Sequence, residues 1–107
     1  MIVFCVNDGA CMTAWAKEMK VEGTMIKFLA DTRSELTKAL GLQLTAAGPM
    51  KDLGNPRCKR FAMCVDNGII KVFNVAEKGP LGEEDPAGDD FPEVSCIDNM
   101  LKEIKAL

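Results

Sequence analysis

The chain has 107 residues, 48% of them apolar and 27% charged, with a formal net charge of −3 and no histidine. That length fits one domain with a modest core, and the lack of a basic excess argues against a general nucleic-acid binder. Without histidine there is no Ser–His or Cys–His catalytic pair and no histidine-ligated metal. No apolar run approaches the roughly 18 residues that span a bilayer.

The five cysteines, Cys5, Cys11, Cys58, Cys64 and Cys96, are odd in number and none shows C-x-x-C spacing. Neither a disulfide framework nor a zinc ribbon fits. The opening Met1-Ile2-Val3-Phe4-Cys5-Val6 has no basic n-region and no small-residue cleavage site, so a secretory signal is not expected. The thiols are therefore expected to be reduced, in a cytoplasmic or organellar compartment. Cys5 and Cys64, inside apolar strand patterns, read as small buried hydrophobes.

Residues 2–6 form an apolar, β-branched run that suits a strand covered on both faces. Asn7-Asp8-Gly9 breaks it and offers Asp8 as a helix N-cap. Met12, Trp15, Ala16 and Met19 then fall on one helical stripe ending near Lys20. Met25–Leu29 reads as a second strand, which makes a βαβ unit with parallel strands. Thr32-Arg33-Ser34-Glu35 reads as a capping box for a helix that buries Leu36, Ala39 and Leu40 and stops at Gly41.

Residues 43–56, with Gly48-Pro49 and Gly54-Asn55-Pro56, read as loop. Asp66-Asn67-Gly68 between the apolar runs 61–65 and 69–73 predicts a β-hairpin. Residues 79–93 crowd Glu83, Glu84, Asp85, Asp89, Asp90 and Glu93 among glycines and prolines. This acidic loop reads first as a mobile solvated segment and second as a docking surface for a basic partner. Ser95-Cys96-Ile97-Asp98 reads as a capping box, opening a helix with Ile97, Met100, Leu101 and Ile104 on one face. The predicted order is β-α-β-α-β-β-α, an α/β fold whose hairpin and last helix match the latter part of a thioredoxin-like domain.

Several segments, taken in order, resemble one family. They are Val6-Asn7-Asp8 with Met12, Ala14 and Trp15; Leu29-Ala30-Asp31 with Thr37-Lys38-Ala39-Leu40-Gly41-Leu42; Leu53-Gly54-Asn55 with Arg57 and Lys59-Arg60-Phe61-Ala62-Met63; and Asp66-Asn67-Gly68-Ile69-Ile70-Lys71 with Asn74-Val75. Over residues 2–77 this series resembles the type II, peroxiredoxin-5-like thiol peroxidases (redoxin family), and the last helix also fits. Within that resemblance, residues 1–107 are a single partial thioredoxin-like domain, N-terminally truncated, and 79–93 is a longer acidic insertion. Gly9-Ala10 stands where the family has Pro-Phe, and Cys58 stands where a serine is common.

The resemblance implies an antioxidant enzyme that reduces hydrogen peroxide and alkyl hydroperoxides, with glutathione, glutaredoxin or thioredoxin as thiol reductant. It implies no metal or organic cofactor, no nucleic acid and no membrane partner. Such chemistry needs a cysteine thiolate that attacks the O–O bond, with a cation to hold the charge. Arg60 matches the family's active-site arginine. The attacking cysteine belongs to a P-x-x-x-T-x-x-C segment upstream of V-N-D, and no cysteine of this sequence has that context. The chain alone is therefore expected to be inactive, marginally stable, or paired strand edge to strand edge. Cys96, at the first turn of the last helix, is the candidate resolving or reactive thiol. The alternatives are a non-catalytic binding or regulatory module derived from a peroxiredoxin, and a thiol-redox protein using Cys96, Cys11 or Cys58.

Overall fold

The computed structural model describes all residues except Pro80 and Asp89, so these two members of the acidic loop lie outside the described residues. The chain divides into two units, Met1–Gln43 with Asn55–Cys58, and Leu44–Gly54 with Lys59–Leu107.

The first unit is built on a βαβ turn of the chain. Strand β1 (Ile2–Cys5) and strand β2 (Lys27–Ala30) are parallel, in register from Ile2↔Lys27 to Cys5↔Ala30. Helix α1 (Gly9–Glu18) connects them, and the Asp8 carboxylate caps it by accepting the Cys11 amide at 2.7 Å. Strand β2 starts two residues later than the sequence predicts. Thr24 explains the delay: its Oγ1 donates to the Val21 carbonyl and accepts the Ile26 amide, holding 24–26 in a turn and leaving Met25 exposed.

Two expectations about burial are corrected in this unit. Strand β1 is not covered on both faces: Ile2 is exposed, and Val3, Phe4 and Cys5 are half-buried. Among the described residues β2 is its only strand neighbour. Cys5 is accordingly not a fully buried hydrophobe. On the α1 stripe only Met12 is buried, while Met19 is exposed and Trp15 is partly covered, edge-on to Phe28 at 4.6 Å.

Helix α2 (Glu35–Ala39) forms, but not through the predicted capping box. Ser34 occupies the cap in a left-handed conformation and its side chain caps nothing. Asp31 does that work from further back, accepting the Leu36 amide, the Thr37 amide and the Thr37 hydroxyl at 3.3, 2.9 and 2.7 Å. The buried side chain is consequently Thr37, while Leu36 and Ala39 face out. Gly41 follows at φ 69°, the left-handed stop that the sequence predicts.

Residues 43–56 are a second correction. Two short strands, β3 (Gln43–Leu44) and β4 (Arg57–Cys58), pair with each other, and helix α3 (Ala47–Leu53) lies between them in sequence. Pro49 sits in the first turn of α3, where no backbone donor is needed, and Gly54 ends it at φ 77°. The glycines and prolines that read as loop are the punctuation of a short helix.

In the second unit the hairpin is as predicted. Strands β5 (Phe61–Asp66) and β6 (Ile69–Val75) are antiparallel, joined by Asn67 and Gly68 at φ 53° and 78°, the two positive values a type I′ turn requires. Phe61 and Phe73 stack edge-to-face on it at 5.8 Å, and Cys64 is half-buried rather than enclosed. After β6 the acidic stretch folds on itself. Gly79 donates to the Glu83 carbonyl, and Asp85 Oδ1 and Oδ2 accept the Ala87 and Asp90 amides at 3.1 and 2.8 Å.

A 3₁₀ turn (Pro92–Ser95) leads into helix α4 (Ile97–Lys105). Its predicted capping box is absent: the 3₁₀ turn takes in Ser95 and leaves Cys96 as the N-cap, and the Ser95 hydroxyl donates back to the Pro92 carbonyl at 3.0 Å. Asn74 of β6 ties this end of the unit together: its Nδ2 donates to the Val94 carbonyl at 3.1 Å and to Glu103 Oε2 at 2.5 Å. Met100 is the buried residue of α4, and Ile97 and Leu101 remain exposed.

Candidate active site

Arg60 stands just ahead of β5, and its backbone is fixed where its side chain is not. The Arg60 carbonyl accepts the amide of Ala76, a fully buried residue, at 2.9 Å. Next to it, Lys59 Nζ pairs with Glu77 Oε2 at 2.6 Å, which removes the neighbouring cation from play. Buried Gly88 of the acidic stretch packs in behind: a Cβ there would lie 3.5 Å from the Ala76 carbonyl and 3.9 Å from the Arg60 amide. Asp85 reinforces the same corner by donating its amide to the Glu77 carbonyl at 2.7 Å. Against that backing the Arg60 side chain is exposed and makes no hydrogen bond or ion pair among the described residues. The arrangement is an anchored strand mouth that presents one unengaged guanidinium, a group always charged and rich in donors.

Cys96 is exposed in the same unit. It is the N-cap of α4 rather than the first helical residue that the sequence reading made it, because the preceding 3₁₀ turn takes up one more position. Its thiol donates to the Pro92 carbonyl at 3.3 Å.

The first unit holds a second constellation, which the sequence reading saw only as scattered residues. Arg57 Nη1 donates to the Val6 carbonyl at 2.5 Å, while its Nε is buried and has no partner. Its neighbour Cys58 shares a side-chain hydrogen bond with Thr37. Asp31 in turn donates its amide to the Cys5 carbonyl at 2.8 Å. Cys5, Val6, Arg57, Cys58, Thr37 and Asp31 thus close a ring.

Burial pushes the Cys5 thiol above its ordinary value, Cys11 adds to that, and the Arg57 guanidinium opposes it. Burial also raises Cys58; negative charge on Cys5 or Asp31 adds to the rise, and Thr37 works against it. At Asp31, burial raises the pKa, but the hydrogen bonds from Thr37 and the α2 amides outweigh it and leave the carboxyl below its usual range. The sequence carried one signal for this cluster, Cys58 standing where a serine is common. The part played by Thr37 had none.

Among the described residues no group of three or more His, Cys, Asp or Glu side chains could hold a metal ion, and no helix is long and apolar enough to cross a membrane.

Comparison with known proteins gives one consistent answer. The Redoxin family profile matches residues 1–91. Peroxiredoxin-2B of Arabidopsis thaliana is 40% identical over 103 residues, covering 95% of this chain and 54% of the relative. The chloroplastic peroxiredoxin-2E-2 of Oryza sativa subsp. japonica is 35% identical over 74 residues, covering 69% of this chain and 32% of the relative. Among solved structures, reduced Prx3 of Vibrio vulnificus in complex with H₂O₂ superposes with a TM-score of 0.69 at 32% identity, covering 97% of this chain and 54% of that one. The chain thus spans about half or less of the length of the curated relatives it matches.

Proposed function

This chain belongs to the redoxin family of peroxiredoxins, with their thioredoxin-like α/β fold, and from that premise we propose that it forms the arginine-bearing part of a thiol peroxidase. The substrates are hydrogen peroxide and alkyl hydroperoxides, and the electrons come from a thiol reductant, either glutathione with glutaredoxin or thioredoxin. The peroxide-attacking cysteine comes from outside these 107 residues, since none of the five cysteines stands in a P-x-x-x-T-x-x-C context. Alone, the 107 residues do not turn over peroxide at an enzyme's rate.

One observation carries the reading: the exposed, unengaged Arg60 guanidinium on a strand mouth fixed from behind by Ala76, Gly88 and the Lys59–Glu77 pair. When a thiolate attacks the O–O bond, negative charge shifts from sulfur to the departing oxygen. A guanidinium brought beside both atoms stabilises the thiolate beforehand and the leaving oxygen during the step. Cys96, exposed on the rim of α4, has the role of resolving thiol in this reading. The setting is a reducing compartment, cytoplasmic or organellar, where the thiols stay available.

The test is to join the 107 residues behind a segment carrying P-x-x-x-T-x-x-C and follow hydroperoxide consumption. Arg60→Ala is expected to lower the rate by about 10²- to 10³-fold, the usual loss of an oxyanion-stabilising group, with Arg60→Lys in between. Equal rates for all three proteins would remove Arg60 from the site.

A further inference from the structure

We propose that the open edge of β2, in the cleft it forms with α1, docks an acidic peptide in extended conformation, which adds to the sheet as a further strand. The site lies wholly in the first unit. It uses neither Arg60 nor any of the five cysteines, so it stands apart from the peroxidase reading.

The backbone of β2 decides which of its groups face outward. Lys27 and Asp31 donate their amides to the Met1 and Cys5 carbonyls at 2.9 and 2.8 Å. Peptide groups alternate in direction along a strand, so the amides and carbonyls of Phe28 and Ala30 point away from β1. No described strand stands on that side, where β2 has no neighbour. Such a row of backbone donors and acceptors is a template for another strand. Its start is fixed, because the Ile26 amide, next in the outward series, is held by Thr24 Oγ1 at 3.2 Å.

Helix α1 turns this edge into a groove. Trp15 packs edge-on against Phe28, which sets α1 over the Phe28 face of β2. Between the two elements lies an open cleft of about 890 Å³, floored by Met12, Ala16, Val21 and Phe28. Its lip is cationic: Lys17, Lys20 and Lys27 line it against one carboxylate, Glu22, in a chain whose net charge is −3. Among the described residues none of these lysines has an ion-pair partner. Lys20 is held there at a backbone cost. It follows α1 at φ 55°, the left-handed position that glycine normally takes, and the Val21 amide closes back on the Ala16 carbonyl at 3.3 Å.

Charge complementarity and the backbone edge together select the occupant. Lys27 and Phe28 project to opposite faces of β2, so lysines flank an added strand on both sides: Lys27 from one face, Lys17 and Lys20 from the α1 face. The peptide that fits pairs its backbone with Phe28 and Ala30 and carries carboxylates to both faces. The same lysines oppose a second copy of this chain at this edge, since two lips of like charge would meet. The chain's own acidic stretch is not the occupant either. Its Glu83 accepts the Leu81 amide, and its Asp85 accepts the Ala87 and Asp90 amides, so it is folded on itself rather than extended.

The experiment titrates the 107-residue chain, and the joined protein in parallel, with the end-blocked hexapeptide Glu-Glu-Val-Val-Glu-Glu, read by amide NMR shifts. The expected result is saturable binding centred on the Phe28 and Ala30 amides, weakening several-fold as salt is raised. Lys17→Ala, Lys20→Gly and Lys27→Ala each weaken it several-fold. Lys20→Gly is expected to melt no lower than the parent, because glycine suits the left-handed corner, so its lost affinity is not lost folding. Methylating alternate backbone nitrogens of the peptide, which keeps every charge but removes strand pairing, abolishes binding. No saturable binding by either protein, shifts centred elsewhere, or equal binding by the methylated peptide or by one with lysines for glutamates would each overturn the proposal. So would movement of the Phe28 and Ala30 amides with protein concentration alone, which would place a second copy on the edge. The same shifts from octanoate would overturn it too, making the cleft a site for a small amphipathic carboxylate.

Discussion

Asp31 sits between β2 and α2 and accepts three hydrogen bonds from α2, two from amides and one from the Thr37 hydroxyl. Asp31→Asn leaves one carbonyl oxygen to do this and replaces the other with a donor, so it is expected to cost about 1–2 kcal/mol in denaturant unfolding. The pH dependence follows from the lowered carboxyl. Its contribution is present above the unfolded-state value near pH 4 and is lost as pH falls through the lower folded-state value. Comparing acid unfolding of the two proteins isolates that share, which the Asn variant lacks. Cys5 and Cys58, raised by burial, act with the opposite sign: their contribution is complete below the unfolded thiol value and lost as pH climbs through the folded one.

Residue identity told only part of this. Arg60 stands out in the sequence because an arginine before an apolar strand belongs to an ordered series of motifs, and its role is part of the proposal. Thr37 does not, since a threonine on a five-residue helix gives no hint that it will be the most buried side chain there. Its burial follows from Asp31 satisfying both its amide and its hydroxyl, a fact of tertiary geometry.

Among the elements, the hairpin turn was legible to the residue, though not the strand ends, because Asn67-Gly68 tolerates positive φ where nearly every other pair is strained. Helix α3 was not, because Gly48, Pro49 and Gly54 are loop residues by composition and become first-turn and stop residues only once a helix exists. The two missed capping boxes have different causes. At α2 the Asp31 carboxylate accepts the first-turn amides and Ser34 takes the cap position, while at α4 the 3₁₀ turn moves the cap from Ser95 to Cys96.

The clamp between β6 and α4 gives the prediction at this scale. Asn74→Ala removes the donor that joins Val94 and Glu103 and is expected to cost about 1–2 kcal/mol, with amides of α4 losing hydrogen-exchange protection before those of β5. Gly88→Ala tests the backing of Arg60. With φ at 76° and the Ala76 carbonyl 3.5 Å from the added Cβ, it is expected to destabilise the protein by about 1 kcal/mol or more. In the joined enzyme it should lower the rate while leaving Arg60 in place.

At the scale of the whole molecule, the described strands form three two-stranded sheets, and apolar side chains such as Ile2, Met19, Ile97 and Leu101 stay exposed. A two-stranded sheet is marginal by itself, and its open edges invite another chain. Under the proposed reading the 107 residues alone pair edge to edge, so their thermal midpoint should rise with protein concentration. A sharp melt of a monomer, independent of concentration, would count against that.

The central claim is that this chain holds the arginine of a peroxidase site and not its attacking thiol. The most direct measurement is hydrogen peroxide consumption by the 107-residue chain with excess thiol reductant, at a pH where a free thiol of pKa about 8.5 serves as the reference. The account predicts consumption no faster than that reference and insensitive to Arg60→Ala. Sustained turnover far above the reference, lost in Arg60→Ala, would contradict it, because an attacking cysteine would then lie within these 107 residues.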